Sequence, residues 1–172
     1  MDPSSLVASV QVHFQGRIRA TSCFRGQACV VVAVEDLLEV LAGLVRAPDM
    51  GMDTLLDIVG VDLLGLPFNH RFEVIWNLRS TVHGHRLRVK IELPDPPDPV
   101  PSTWELWKSA NWLEREVFDL FGIRFEGHPN LQRILCHHRF EGHALRKDYP
   151  IQRRQPLDVP IVYLLTDDPE HA

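Results

Sequence analysis

Two stretches in the middle of the chain, Phe72–Arg79 and Arg86–Leu93, limit what it can fold into more than any other feature. In the first, Phe72, Val74, Trp76 and Leu78 alternate with Arg71, Glu73, Asn77 and Arg79. In the second, Leu87, Val89, Ile91 and Leu93 alternate with Arg86, Arg88, Lys90 and Glu92. Successive strand residues point to opposite faces, so a period of two writes one apolar and one polar face. The pair therefore predicts half-buried antiparallel strands, wet on one face and covered on the other. His83-Gly84-His85 lies in the turn between them.

The covering elements are sought on either side. Ile18–Phe24 and residues 29–34 read as strands of a hairpin turning at Arg25-Gly26. Leu37, Leu38, Val40, Leu41, Leu44 and Val45 recur at helical spacing before Pro48. Asp36 with Glu39 resembles a capping box for that helix. Residues 55–61 are nearly all apolar and suit a central strand buried on both faces. The run PDPPDPVP at residues 94–101 breaks regular structure and acts as a stiff spacer. Ser102-Thr103-Trp104-Glu105 reads as a second capping box, opening a helical region that reaches Phe121. Gly122 can supply the left-handed residue that ends it. After Glu126 the periodicity fades and prolines recur at positions 129, 150, 156, 160 and 169. The expected fold is α+β: a mostly antiparallel sheet covered by helices on one face, with an extended irregular C-terminal arm. Its boundaries are an α+β domain over residues 1–125 and an arm over residues 126–172.

On a helical wheel with Leu113 at zero, Leu113, Val117, Phe118, Leu120 and Phe121 span about −20° to about 140° and should face the sheet. Trp112, Arg115, Glu116 and Asp119 cluster on the other side, with Arg115 and Asp119 spaced as an i,i+4 ion pair. Glu114, at about 100°, falls inside the apolar arc. A bare buried carboxylate costs several kcal/mol, so it needs a partner. One reading is a capping box with Asn111; the other is a cation, with Arg124, Arg133 or another chain as candidates. On the second reading, Glu114→Gln should impair assembly more than Glu116→Gln, because a cation is left unpaired.

The chain has a net charge of −5, unevenly spread. Between Arg124 and Arg154 seven basic residues face three acids, a local net of +4, which leaves −9 for the remainder. An acidic body with a basic arm points to a charged partner for the arm and away from general nucleic-acid binding. The longest apolar run, residues 28–34, is far short of a membrane span, and the first residues lack a secretory signal. A soluble, intracellular protein is expected. Cys23, Cys29 and Cys136 have no Cys-x-x-Cys spacing and read as reduced thiols, with no iron–sulfur cluster. His83/His85 and Cys136-His137-His138 make weak metal candidates, because adjacent ligands do not readily share one tetrahedral ion. No glycine-rich nucleotide cradle and no nucleophile elbow occurs.

The stretch NWLEREVFDLFGIRFEGHPNLQRIL, residues 111–135, followed by HALRKDYP, residues 143–150, is densest in unlike residues. It resembles the signature of the 30 kDa subunit family of respiratory complex I, the NADH:quinone oxidoreductase. Glu114, Arg115, Glu116, Asp119, Gly122, Ile123, Phe125, Gly127, His128, Pro129, Arg133, Ile134 and Leu135 match it residue by residue. Leu145, Arg146, Lys147, Asp148, Tyr149 and Pro150 continue the match. Ala144 stands where the family commonly has proline, and Cys136-His137-His138 replaces an acidic, proline-bearing segment. The resemblance covers roughly residues 35–155.

It implies a non-catalytic structural subunit of the quinone-proximal peripheral arm of a proton-translocating complex. NADH and quinone are substrates of the whole complex, while FMN and iron–sulfur clusters sit in partner subunits and no cofactor in this chain. It further implies peripheral placement on the cytoplasmic face of the inner membrane, through the cluster-bearing and quinone-site subunits. The interface residues it implies are Glu114, Arg115, Glu116, Asp119, His128, Pro129, Arg133, Leu145, Arg146, Lys147, Asp148 and Tyr149. Partner subunits are expected to supply most of the ordering of the arm. The alternatives are the homologous subunit of a related membrane-bound hydrogenase or oxidoreductase, or a free-standing acid/base enzyme using Glu114, Asp119 and His128.

Overall fold

The computed structural model describes residues 2–155. Helix α1, Pro3–His13, opens the chain. It was not among the expected elements, although Asp2-Pro3 carries a start signal. The Asp2 carboxylate accepts from the amides of Ser4 and Ser5 at 3.0 and 3.1 Å, and proline fits the first turn, where no intrahelical N–H is needed. Strands β1 (Ile18–Phe24) and β2 (Gln27–Val32) form the expected hairpin. Its turn residues Arg25 and Gly26 both have positive φ, 49° and 75°, the pattern that matches strand twist in a two-residue turn. Helix α2 (Leu37–Arg46), strand β3 (Thr54–Asp62), strand β4 (Phe72–Arg79) and strand β5 (Arg86–Leu93) follow.

The five strands lie in the order β1-β2-β5-β4-β3. β2 pairs with β5 in parallel; the remaining pairings are antiparallel, so the sheet is mixed but mostly antiparallel. The alternation of β4 and β5 is realised as read. Phe72, Val74, Trp76, Leu78, Leu87, Val89, Ile91 and Leu93 are buried in one core with Leu6 and Val10 of α1, Leu41 and Leu44 of α2, and Val117 and Phe121 further on. Arg79, Arg86 and Arg88 remain exposed on the polar face.

Four local expectations are corrected. β3 is an edge strand, not a central one: a register shift between Leu55 and Asp57 turns Leu56 outward, and Val59 and Val61 are only half-buried. Asp36 makes no side-chain cap; it and Glu39 instead meet Arg17, which arrives from the α1–β1 connection. The proline-rich spacer ends in a short strand β6 (Val100–Pro101), which pairs in parallel with β7 (Phe125–Glu126). Helix α3 runs Ala110–Phe121, well after Ser102, because the Ser102-Thr103 donors serve the Glu114 carboxylate instead of a helix start. Beyond Glu126 no helix or strand occurs among the described residues, as the fading periodicity indicated.

α3 rests on β3 through a close approach. A Cβ at Gly60 would stand 2.6 Å from the Phe121 ring. Gly60→Ala should therefore force α3 off the sheet and cost about 1–3 kcal/mol, despite alanine's better fit to a strand. Urea denaturation checks this.

Candidate functional site

Ala110, Glu114, Val117 and Phe121 are the buried positions on the sheet-facing side of α3. Glu114 thus sits within the apolar stripe where the wheel placed it, and it is 0% exposed. Its partner is neither of those expected. Thr103 donates its amide and hydroxyl to Oε1 at 2.7 and 2.8 Å, and the Ser102 hydroxyl donates to Oε2. The Thr103 hydroxyl also accepts from the Trp76 indole at 3.2 Å, which ties the cluster to β4. Among the described residues no guanidinium reaches Glu114, because Ser102 and Thr103, just after β6, bring their hydroxyls there.

Burial raises the Glu114 pKa more than the Ser102 and Thr103 donors lower it, so it stands above the ordinary glutamate value. A carboxyl with a raised folded-state pKa adds stability that is complete below the unfolded value and is lost as pH rises through the folded one. Glu114→Gln should consequently be close to neutral or slightly stabilising at pH 7, with no uncompensated cation left behind. Glu114→Ala should lose about 2–4 kcal/mol through a cavity and stranded donors. Melting curves at pH 5 and pH 8 separate the two effects.

Asp119 corrects a second expectation. The wheel puts it on a solvated face beside Arg115, but it is 0% exposed. The arm folds over that face, which a wheel for an isolated helix treats as open. Oδ1 accepts from Arg133 Nη1 at 2.7 Å, while Oδ2 accepts from the consecutive amides of Ile134, Leu135 and Cys136 at 3.0, 2.8 and 2.7 Å. Successive N–H groups aimed at one oxygen make an anion-binding nest. Burial opposes ionisation most, yet the Cys136 amide, Arg133 and the other two amides together outweigh it and hold the Asp119 pKa low. Arg115 does not pair with Asp119. It donates to the Gln132 and Arg133 carbonyls, each at 3.0 Å, gripping the same loop one helical turn earlier.

The C-terminal carbonyls of a helix lack intrahelical partners and attract positive charge. In α3 the arm supplies both. Arg133 and His143 donate to the Asp119 carbonyl at 3.2 and 2.9 Å, the Leu145 amide to Leu120 at 3.1 Å, and Arg146 Nε to Phe121 at 2.6 Å. Gly122 ends the helix in the left-handed region as expected, with φ 75°. A Cβ there would also meet His143 Nε2 at 2.4 Å, so the arm packs directly over the glycine.

A second fastening lies alongside. Arg71 Nη2 meets Asp62 at 3.1 Å and Asp148 at 2.9 Å, and Nη1 meets Asp95 at 2.6 Å. The Lys147 amide donates to Asp62 at 2.9 Å. Although burial works against it, Arg71 leads the donors that keep Asp62 ionised below the usual aspartate range.

The sequence-derived site residues thus divide. The half-exposed Asp148 pairs with Arg71, while Glu114, Arg115, Asp119, Arg133 and Arg146 turn inward and hold the chain to itself. His128 does too, donating to the Asn111 carbonyl at 3.0 Å and accepting the Asn130 amide at 3.0 Å. Tyr149 is half-buried against Phe140, its hydroxyl accepting from Gln155 at 2.7 Å. Glu116, Pro129, Lys147 and Leu145, the last 54% exposed, face outward. Sequence reading missed His143, Arg71, Asp62 and the Ser102-Thr103 pair. Only the last carried a local signal, and that signal reads equally as a helix cap. It also missed His70, Glu73 and Glu92, whose ligand-type atoms lie within 4.8 Å of one another. Lys90 occupies that cluster, 2.6 Å from Glu73.

Residues 30–155 match the family model of the Respiratory-chain NADH dehydrogenase, 30 Kd subunit. The chain belongs to this family. The NADH-quinone oxidoreductase C subunit of Trichlorobacter lovleyi is 42% identical over 151 residues, which cover 88% of this chain and 91% of that one. Its counterpart of the same name in Paraburkholderia xenovorans is 37% identical over 169 residues, covering 92% and 84%. Among solved structures, the trypsin-resistant fragment (1–134) of Nqo5 superposes with a TM-score of 0.64 at 35% identity, covering 76% of this chain and all of that one. A chain of the membrane-bound sulfane sulfur reductase, an archaeal respiratory membrane complex, matches at TM-score 0.58 and 21% identity over 73% of this chain and 71% of that one. The last likeness speaks for the fold alone. For this member of the 30 kDa subunit family, the matched region includes both the α3 lock and the Arg71 knot. Among the described residues, no helix is long and apolar enough to cross a membrane.

Proposed function

We propose that the chain is a non-catalytic structural subunit of the peripheral, quinone-proximal arm of a proton-translocating NADH:quinone oxidoreductase. Partner subunits carry FMN and the iron–sulfur clusters, and NADH and quinone are substrates of the whole assembly. The chain sits on the cytoplasmic face of the inner membrane, attached through those partners. One observation carries the reading: Arg115, Asp119, Arg133 and Arg146, four charged residues of its signature, lock the arm onto α3. That leaves the outer surface of the arm, with Leu145, Lys147, Pro129 and the neighbouring Glu116, free to meet other subunits.

Charge supports the same role. Among the described residues, Arg124, Arg139 and Lys147 are exposed and enter no ion pair, a surface suited to acidic neighbours. The geometry speaks against a free-standing acid/base enzyme. Glu114 and Asp119 are fully buried on saturated hydrogen bonds, and both ring nitrogens of His128 are engaged.

The test is sedimentation of detergent-solubilised membranes from cells carrying a tagged copy. The chain should travel with a large complex that has NADH:quinone reductase activity. Sedimentation as a free small protein, apart from that activity, would refute the proposal.

A further inference from the structure

The end of the sheet opposite the docked arm holds an open cleft of about 700 Å³. Arg25 of the β1–β2 turn, Arg86 and Arg88 of β5, and Asp57 and Asn77 contribute to its lining. Among the described residues, none of the three arginines is in an ion pair. Arg88 donates to Asn77 at 3.1 Å, and Arg25 lies over Phe24 with 5.2 Å to the ring centroid. Three guanidiniums against one carboxylate make a cationic cleft in a chain of net charge −5. Like charges held together repel, and an incoming anion relieves them.

A second, independent observation lies in the same lining. His85 is 8% exposed, and its Nε2 donates to the Met50 carbonyl at 2.7 Å, which fixes Nδ1 as a bare acceptor. That Nδ1 is buried without a hydrogen-bond partner. Buried polar atoms are normally satisfied. The guanidiniums therefore ask for negative charge, while His85 closes the cleft from the buried side of the strand. A peptide supplies several carboxylates along one backbone.

Spacing narrows the choice further. Arg86 and Arg88 are two residues apart on one strand face, a repeat of about 7 Å. Acidic residues at alternate positions of an extended segment repeat at the same interval. Leu56, exposed at the rim, offers an apolar contact between the charges. We infer that this cleft binds an extended acidic segment of a partner protein, with alternate carboxylates on Arg86 and Arg88. The assembly reading enters only in taking another subunit as the source of that segment.

The full-length isolated chain tests the proposal, so the result stands whether or not the assembly reading does. The probe is a fluorescein-labelled peptide alternating Glu and Thr, followed by anisotropy at low salt, with inorganic pyrophosphate as competitor. The unaltered chain and an Arg46→Gln control, exposed and outside the cleft lining, should bind it, and raised salt should weaken binding. The double variant R86Q/R88Q should bind about tenfold more weakly with its melting temperature retained. If that variant is unstable, R86Q alone, at an exposed position, should still weaken binding severalfold. Absence of binding, or binding indifferent to these substitutions, would overturn the proposal. So would pyrophosphate binding more tightly than the peptide and displacing it, which would mark a small-anion site.

Discussion

Replacing Asp119 by asparagine is expected to release the arm and to cost about 3–5 kcal/mol, because it leaves a largely buried guanidinium without its counter-charge. Arg133 is only 19% exposed and directs Nη1 at the carboxylate. The asparagine oxygen can serve either Arg133 or the amides of Ile134, Leu135 and Cys136, but its NH2 group then faces donors on the other side. Urea denaturation should show the loss, and trypsin should cut after Arg133 and Arg139 in the variant before it cuts the parent. A loss under about 1 kcal/mol would mean the nest contributes little. The low folded-state pKa of Asp119 gives a pH signature as well. Its stabilisation is complete above the unfolded aspartate value and fades as pH falls through the folded one. The parent should therefore weaken below about pH 4, and the asparagine variant should lose much of that acid limb.

Arg71→Ala is the second large effect, again about 3–5 kcal/mol. It strands Asp62, whose side chain is 1% exposed, and removes the tie from the β3–β4 connection to Asp148 of the arm. Arg71→Lys keeps one charge without the fork and should fall between the two. Both sites fasten the same segment, so combining Asp119→Asn with Arg71→Ala should cost less than the sum. Full additivity in denaturant titrations would show that the two fastenings are independent.

Much of this is legible in the sequence. The alternation in β4 and β5, the turning residues Arg25-Gly26, the end of α3 at Gly122 and the carboxylate of Glu114 inside an apolar stripe are local patterns. Local patterns report local geometry. What escaped depended on pieces distant in the chain. Asp62 meets Lys147 across 85 residues, and no periodicity records that meeting. Asp119 looked solvated because its cover is the irregular arm. Ser102-Thr103 carried a genuine signal for hydroxyls seeking a partner, but a capping box and a buried carboxylate ask for the same donors. β3 was misjudged because an apolar run reads alike whether its strand is central or lies at an edge beneath a helix. The resemblance to the 30 kDa subunit family held, the family model matching residues 30–155, and part of its motif forms the lock.

On the proposed function, the outer surface of the docked arm, rather than its fastenings, recruits the neighbours. Arg139 and Lys147 separate the two, being exposed and free of ion pairs among the described residues. The decisive measurement compares a double Arg139→Glu, Lys147→Glu variant with the parent, for melting of the isolated chain and for its yield in the purified membrane complex. The melting temperature should move by less than about 3 °C, as exposed substitutions rarely exceed about 0.5 kcal/mol, while incorporation and NADH:quinone reductase activity fall severalfold. Unchanged incorporation and activity at an unchanged melting temperature would contradict it.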